Sequence, residues 1–241
     1  MNKFAVIVIL LVLLAGTASA GNWMDKAKEY AGAKPGSGSA NLDKDTVAAG
    51  LKEALSVGSG NAVGSASKPD GYFKNPAIQI PLPQQVKSVE KPLRKVGFSK
   101  QLDEFLESMN RAAEKAAPVA KDIFIGAIRE MTILDAYNIL KGGDTAATAY
   151  MRSKTYDKLY AAFKPTVTRM VMEVGVTRSY QQLVDKAKKT KLVKENTLDL
   201  DHHVTSMALD GLFHLLGEEE KKIRKDPAAQ VTDLLKKVFG K

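Results

Sequence analysis

Cysteine is absent from the chain, so no disulfide can brace the fold and no thiolate is available as a nucleophile. No Gly-x-Ser-x-Gly elbow and no phosphate-cradling Gly-rich loop occur, which removes the usual sequence marks of serine hydrolases and P-loop enzymes. After Leu14 there is no second long apolar run, so the remainder reads as soluble. Alternating strand patterns of any length and internal repeats are also missing.

The one long apolar run stands at the start. Lys3 opens a short charged end, Phe4 to Leu14 is almost unbroken apolar sequence, and Ala18, Ser19 and Ala20 offer small residues for cleavage. This is the anatomy of a secretory signal peptide, too short for a comfortable transmembrane span. The expectation is a cleaved segment over residues 1–20 and a periplasmic mature chain. Leu13-Leu14-Ala15-Gly16 resembles the start of a lipoprotein box, but Thr17 stands where the lipidated cysteine belongs, so a lipid anchor there is excluded.

The remaining chain is long enough for one core, and its 44% hydrophobic and 26% charged residues are ordinary for a globular protein. The formal charge is +9, and only Lys3 leaves with the signal. For an exported protein, such charge points to anionic lipid headgroups or an acidic envelope partner, and no nucleic acid is expected. The same lysines also serve plain solubility.

Residues 21–41 read as a short amphipathic stretch, Trp23 to Ala31, followed by the flexible linker Gly32 to Ser39. The helical domain is expected over residues 42–241, with roughly ten helices in one bundle-like, all-α unit. Asp43 caps a helix carrying Val47, Leu51 and Leu55, weakened at Gly58, Gly60 and Gly64. Lys68-Pro69-Asp70-Gly71 is a turn, and Ile78 to Pro83 is the one extended segment, either an edge strand or a covering loop. Pro92 is expected to interrupt the next helix and Gly97 to stop it. Ser99 should cap a helix with Leu102, Phe105, Leu106, Met109 and Ala113 inward, and Pro118 should bend the chain.

Further on, Thr132 and Asp135 form a capping-box pattern, and Gly142-Gly143 stops that helix. Asp144 is expected to cap the next one. Helices follow over Thr155 to Val174, kinked at Pro165, and Val176 to Lys188, before a polar connector from Thr190 to Thr197. Asp199 opens the most apolar helix, and Asp226-Pro227 starts a last one through Val231, Leu234, Leu235 and Val238.

Several motifs resemble one family. Asn110-Arg111-Ala112-Ala113-Glu114, the run from Asp135 to Thr148, Leu209-Asp210-Gly211-Leu212-Phe213 and Glu220-Lys221-Lys222-Ile223-Arg224 together resemble the bacterial domain-of-unknown-function family 4197. The resemblance covers about Val47 to Gly240. It implies an envelope-directed helical protein of Gram-negative type, and implies neither an activity nor catalytic residues.

The polar residues of these motifs are the candidate site: Asn110, Arg111, Glu114, Asp135, Asp144, Thr148, Arg152, Asp210 and Arg224. They either form a ligand pocket or tie helices together. Asn110 and Glu114 lie on one flank of an apolar stripe, with Arg111 in reach of Glu107, and Arg152 or Arg224 are the expected partners from other helices. Asp199, His203, Asp210 and His214 share a strip of one helix, where each Asp–His pair forms an ion pair or supplies two metal ligands. All four cannot hold one ion, because the helix rises about 1.5 Å per residue. No cofactor is expected. Three functional readings remain open: a non-enzymatic envelope protein binding a partner or an apolar or anionic ligand; a hydrolase with Glu114 or Asp210 as base and arginines holding an anion; and a purely structural helical protein.

Overall fold

The computed structural model describes residues 43–173 and 199–240. The signal segment, the Trp23 stretch, the linker, the Val176 to Lys188 helix and the following connector lie outside the described residues. Among the described residues the fold is all-α, with no strand. Leu42–Lys241 cluster as one unit.

The first helix, α1 (Lys44–Ser67), starts where Asp43 accepts the Thr46 N–H. It runs unbroken through Gly58, Gly60 and Gly64, because Leu51, Leu55, Ala62, Val63 and Ala66 bury one face along its whole length. Tertiary burial outweighs the roughly 1 kcal/mol that each glycine costs a helix. The turn after it places Asp70 at φ 65°, a left-handed backbone that Asp tolerates. Gly71 then closes on the end of α1: a Cβ there would stand 2.4 Å from the Ser65 carbonyl oxygen.

The extended segment starts later than expected: Ile78 closes a turn on Asn75, and residues 79–83, in neither helix nor strand, form a covering loop, with Ile78, Ile80 and Leu82 buried and Gln79 and Pro81 exposed. Two short helices follow, α2 (Gln84–Lys87) and α3 (Glu90–Lys95). The break falls at Ser88 and Val89, ahead of Pro92, which sits in the first turn of α3 where its missing N–H costs nothing. Gly97, at φ +92°, ends α3 as expected. Helix α4 (Ser99–Ala116) follows, but Ser99 is its first residue and supplies no side-chain cap. A 3-10 turn at Ala117–Val119 carries the Pro118 bend into α5 (Ala120–Glu130).

The capping box forms as expected at the start of α6 (Ile133–Lys141), with Thr132 and Asp135 serving each other's backbone N–H. Next, α7 (Ala146–Glu173) is a single long helix containing Pro165, not one beginning at Thr155. Asp199 caps α8 (Leu200–Lys225) by accepting the His202 N–H. Asp226-Pro227 opens only a 3-10 turn, Pro227–Ala229; the last helix is α9 (Asp233–Phe239), capped by Thr232, and Val231 is exposed between them.

The long helices organise the core. Helix α8 packs against α7, α1 and α4, and α4 also touches α7 and α1. The shorter α5, α6 and α9 lie against α1. Phe105, Phe124, Phe163, Met109 and Met151 are fully buried, and Phe124 meets Phe213 edge to face at 5.9 Å. No described helix is long and apolar enough to cross a membrane.

Two glycines should respond oppositely to alanine. At Gly211 a Cβ would come within 2.9 Å of the buried Tyr72 ring and 3.0 Å of Ile78. Overpacking of about 1–3 kcal/mol exceeds the helix gain, so Gly211→Ala should lower the melting temperature. Gly60 is exposed with nothing within 4 Å of the added methyl, so Gly60→Ala should stabilise by about 0.5–1 kcal/mol in thermal or urea unfolding.

Candidate functional site

Glu107, Asn110, Arg111 and Glu114 recur every three or four residues along α4, so they share one side of that helix. That side faces residues 70–80, whose backbone needs partners. Asn110, fully buried, supplies both kinds: its Oδ1 accepts the Ile80 N–H at 2.8 Å and its Nδ2 donates to the Ile80 carbonyl at 3.0 Å. The same amide nitrogen also donates to Leu106 O at 2.8 Å. One side-chain amide thus takes the place of a neighbouring strand.

Glu114 does the equivalent one turn on. Its Oε1 accepts the N–H groups of Tyr72 and Phe73, each at 3.1 Å, and its Oε2 receives Arg111 Nη1 at 2.8 Å. The Arg111 guanidinium also reaches Asp70 at 2.7 Å and Glu107 at 3.0 Å, and lies 5.2 Å from the Phe73 ring centre. Its pKa rises because these carboxylates, Glu114 foremost, hold the charged form. Asp70 is correspondingly held below the usual carboxylate range by Lys74 and Arg111. Burial pushes the Tyr72 phenol up, and its hydroxyl donates to Ala208 O at 2.7 Å. The expected partners Arg152 and Arg224 are not the ones bound to this set. The loop backbone takes their place, because it brings unpaired amides that no other group reaches.

A second set joins α7 to the end of α8. Here Glu220, which pattern reading left unassigned, accepts Ala147 N at 3.0 Å, Thr148 N at 2.8 Å and Thr148 Oγ1 at 2.8 Å. Arg224 holds the same carboxylate through Nη2 at 2.9 Å and donates to Ile139 O at 3.0 Å, the last turn of α6. Asp144 therefore does not cap α7, as expected from sequence; it forms an exposed ion pair with Lys225 while Glu220 meets the helix N–H groups. The signal that could have revealed Glu220 is its i, i+4 spacing to Arg224 and its place between Leu216 and Ile223 on one face of an otherwise charged helix end.

The third set is Arg152 on α7 and Asp210 on α8, an ion pair half open to solvent. The Arg152 guanidinium also lies 5.1 Å from the ring centres of Tyr156 and Phe213. Asp135 stays with its capping box, held below its ordinary pKa by the Thr132 hydroxyl and backbone N–H. The three sets do not converge. Asp210 and Arg224 lie fourteen residues apart on α8, about 21 Å along its axis.

The strip Asp199, His203, Asp210 and His214 is likewise divided, and the Asp–His ion pairs expected along it do not form. Asp199 caps α8, Asp210 pairs with Arg152, and His203 Nε2 lies 3.1 Å from Pro81 O. Among the described residues no group of three or more His, Asp or Glu side chains is placed to hold a metal.

Openings among the described residues include a small cavity and a wider groove. A cavity of about 20 Å³ between α1, α8 and α9, walled by Leu51, Leu55, Leu216 and Ile223, is no larger than a water. A wider groove of about 470 Å³ runs between residues 81–87 and the first turns of α8, with Lys87, Asp199, His202, His203, Ser206 and Met207 on its walls. Ser206 Oγ is 3.4 Å from His202 Nδ1, but that nitrogen is already 2.8 Å from Tyr160 OH, so no serine–base pair is set up for attack.

The protein is thus an all-α helical bundle whose motif residues knit loops and helix ends together. The chain belongs to the protein family of unknown function DUF4197, whose profile matches residues 41–240. No curated protein and no solved structure matches it.

Asn110→Ala would leave the Ile80 N–H and C=O buried without a partner, and should cost about 2–4 kcal/mol in urea unfolding. The acid limb of stability has a definite sign. Hydrogen bonds and neighbouring lysines or arginines hold Asp43, Asp70, Asp135 and Asp144 below the ordinary aspartate value of 3.8, so their contribution is present above that pH and lost as pH falls through the lowered values. In acid titrations the stability gap between wild type and Asp135→Asn should narrow as pH falls below 3.8.

Proposed function

We propose that this chain is an exported envelope protein that works by binding and performs no turnover of its own. The observation that carries the reading is the division of the motif residues into three separate sets, two of them closed by their own contacts and the third, Arg152 with Asp210, a half-exposed pair. Glu114 has both oxygens engaged, and Glu220 and Arg224 are committed to each other and to backbone. Each of these carboxylates is already held by an arginine and by backbone or hydroxyl donors, which leaves neither Glu114 nor Glu220 free to take a proton from a substrate.

The charged end, apolar run and small residues of positions 1–20 support export to the periplasm, and Thr17 argues against a lipid anchor. The net charge of +9 supports an acidic or anionic partner. The groove beside Lys87, His202 and His203 has the size of a small-ligand seat and supports a polar or anionic occupant. A purely structural role draws on the same ties; it differs in leaving this groove and the outer surface without a ligand.

Two measurements test the reading. Fractionation with intact-mass analysis should find the chain in the periplasm beginning at Gly21, whereas an uncut cytoplasmic chain would sink the export claim. Esterase and phosphatase panels should show no activity that separates wild type from Asp210→Asn or Arg152→Ala, two changes at a half-exposed pair whose effect on stability should be within about 1 kcal/mol. Hydrolysis abolished by either change in a folded variant would establish the enzyme instead.

A further inference from the structure

Helix α6 presents an outward face that the bundle does not use. Ala136 and Ile139 point into the core, while Ile133, Leu134 and Tyr137 are 46%, 69% and 38% exposed. At 100° per residue Ile133, Tyr137, Lys141, Leu134 and Asn138 occupy one continuous arc. All five are exposed.

That arc contains no acid. The one carboxylate of the helix, Asp135, lies on another side and is turned back onto Thr132 by the capping box. Two cations attend the arc. Lys141 Nζ stands 4.3 Å from the Tyr137 ring centre, and Lys141 together with Lys44 at the start of α1 draws the Tyr137 phenol below its ordinary pKa. The acids nearest in sequence, Glu130 and Asp144, are exposed and lie outside the helix, Asp144 paired with Lys225, and Asp45 belongs to α1. An aliphatic pair, an amphipathic aromatic ring and lysines on an acid-free face match the layers of a bilayer surface: acyl boundary, interface and anionic headgroup.

We infer that this face of α6 docks on a bilayer carrying anionic lipid, with Ile133 and Leu134 entering the boundary below the headgroups and Tyr137, Lys141 and Lys44 lying among them. The inference rests on the binding reading above and adds its place and partner. Charge supplies attraction at a distance and the aliphatic pair supplies retention, so binding should depend on both salt and apolar area.

The test is flotation of the purified mature chain with vesicles of phosphatidylglycerol and phosphatidylcholine, against vesicles of phosphatidylcholine alone, at low and high salt. The expected result is binding to the anionic vesicles at low salt, weakened by high salt. It should be reduced about tenfold in Ile133→Ser/Leu134→Ser and reduced further by Lys141→Glu. Because these side chains are exposed, the melting temperature of each variant should stay close to that of wild type.

Absence of flotation at low salt, or undiminished flotation of the double serine variant, overturns the inference. So does sedimentation showing a self-associating chain whose association the double variant abolishes, since that assigns the face to a second copy. The vesicle assay uses purified protein and fractionation uses cells, so a failed export claim and a failed docking claim are told apart.

Discussion

The pairing of α4 side chains with the backbone of residues 70–80 is the interaction on which the rest depends. That segment lies over the core without a neighbouring strand, so the backbone groups of Tyr72, Phe73 and Ile80 that turn inward need partners from side chains. Asn110 and Glu114 meet them with three backbone N–H acceptor contacts and one donor contact. With the segment held, Ile78, Ile80 and Leu82 cover the bundle and Tyr72 reaches Ala208 on α8. Arg111 then pairs with the nearly buried Glu114 carboxylate from the solvent side, which offsets the cost of burying it.

The same solution recurs at the other end of the molecule. The N-terminal turn of α7 leaves N–H groups inside the protein, and Glu220 reaches them from α8, balanced by Arg224. Arg224 in turn closes the last turn of α6 through Ile139 O. Loop, helix start and helix end are therefore each satisfied by a charged or amide side chain from a distant helix. These residues stand in the motifs on which the resemblance to the family rests, and in the two closed sets their polar groups are engaged in holding the fold. Function is then to be sought where side chains remain free, on the groove beside α8 and on the outward face of α6.

Much of the fold was legible because it rests on local rules. Helical periodicity marked Val47, Leu51 and Leu55 on α1 and Leu102, Phe105 and Met109 on α4, and the Thr132–Asp135 box and Gly97 stop act within one turn. Proline context marked residues 79–83 as non-helical, while Ile78 belongs to the turn before them. Local rules misled where burial overrode them. The glycines of α1 suggested a close helix contact or a break; the helix continues, with Gly58 lying against Leu216, Glu219 and Ile223 of α8 and packing holding it along its length.

The candidate site divided along the same line. Sequence determined the residue types, the shared face of Asn110, Arg111 and Glu114, the Glu107–Arg111 reach, and the absence of thiol or elbow chemistry. Only the tertiary structure decided who meets whom: Glu220 in place of Asp144 at the start of α7, backbone in place of Arg152 or Arg224 beside Glu114, and Arg152 with Asp210. The physical reason is that a buried polar group takes whichever unpaired partner the packing brings within 3 Å or so. That partner lies tens of residues away, where periodicity carries no information.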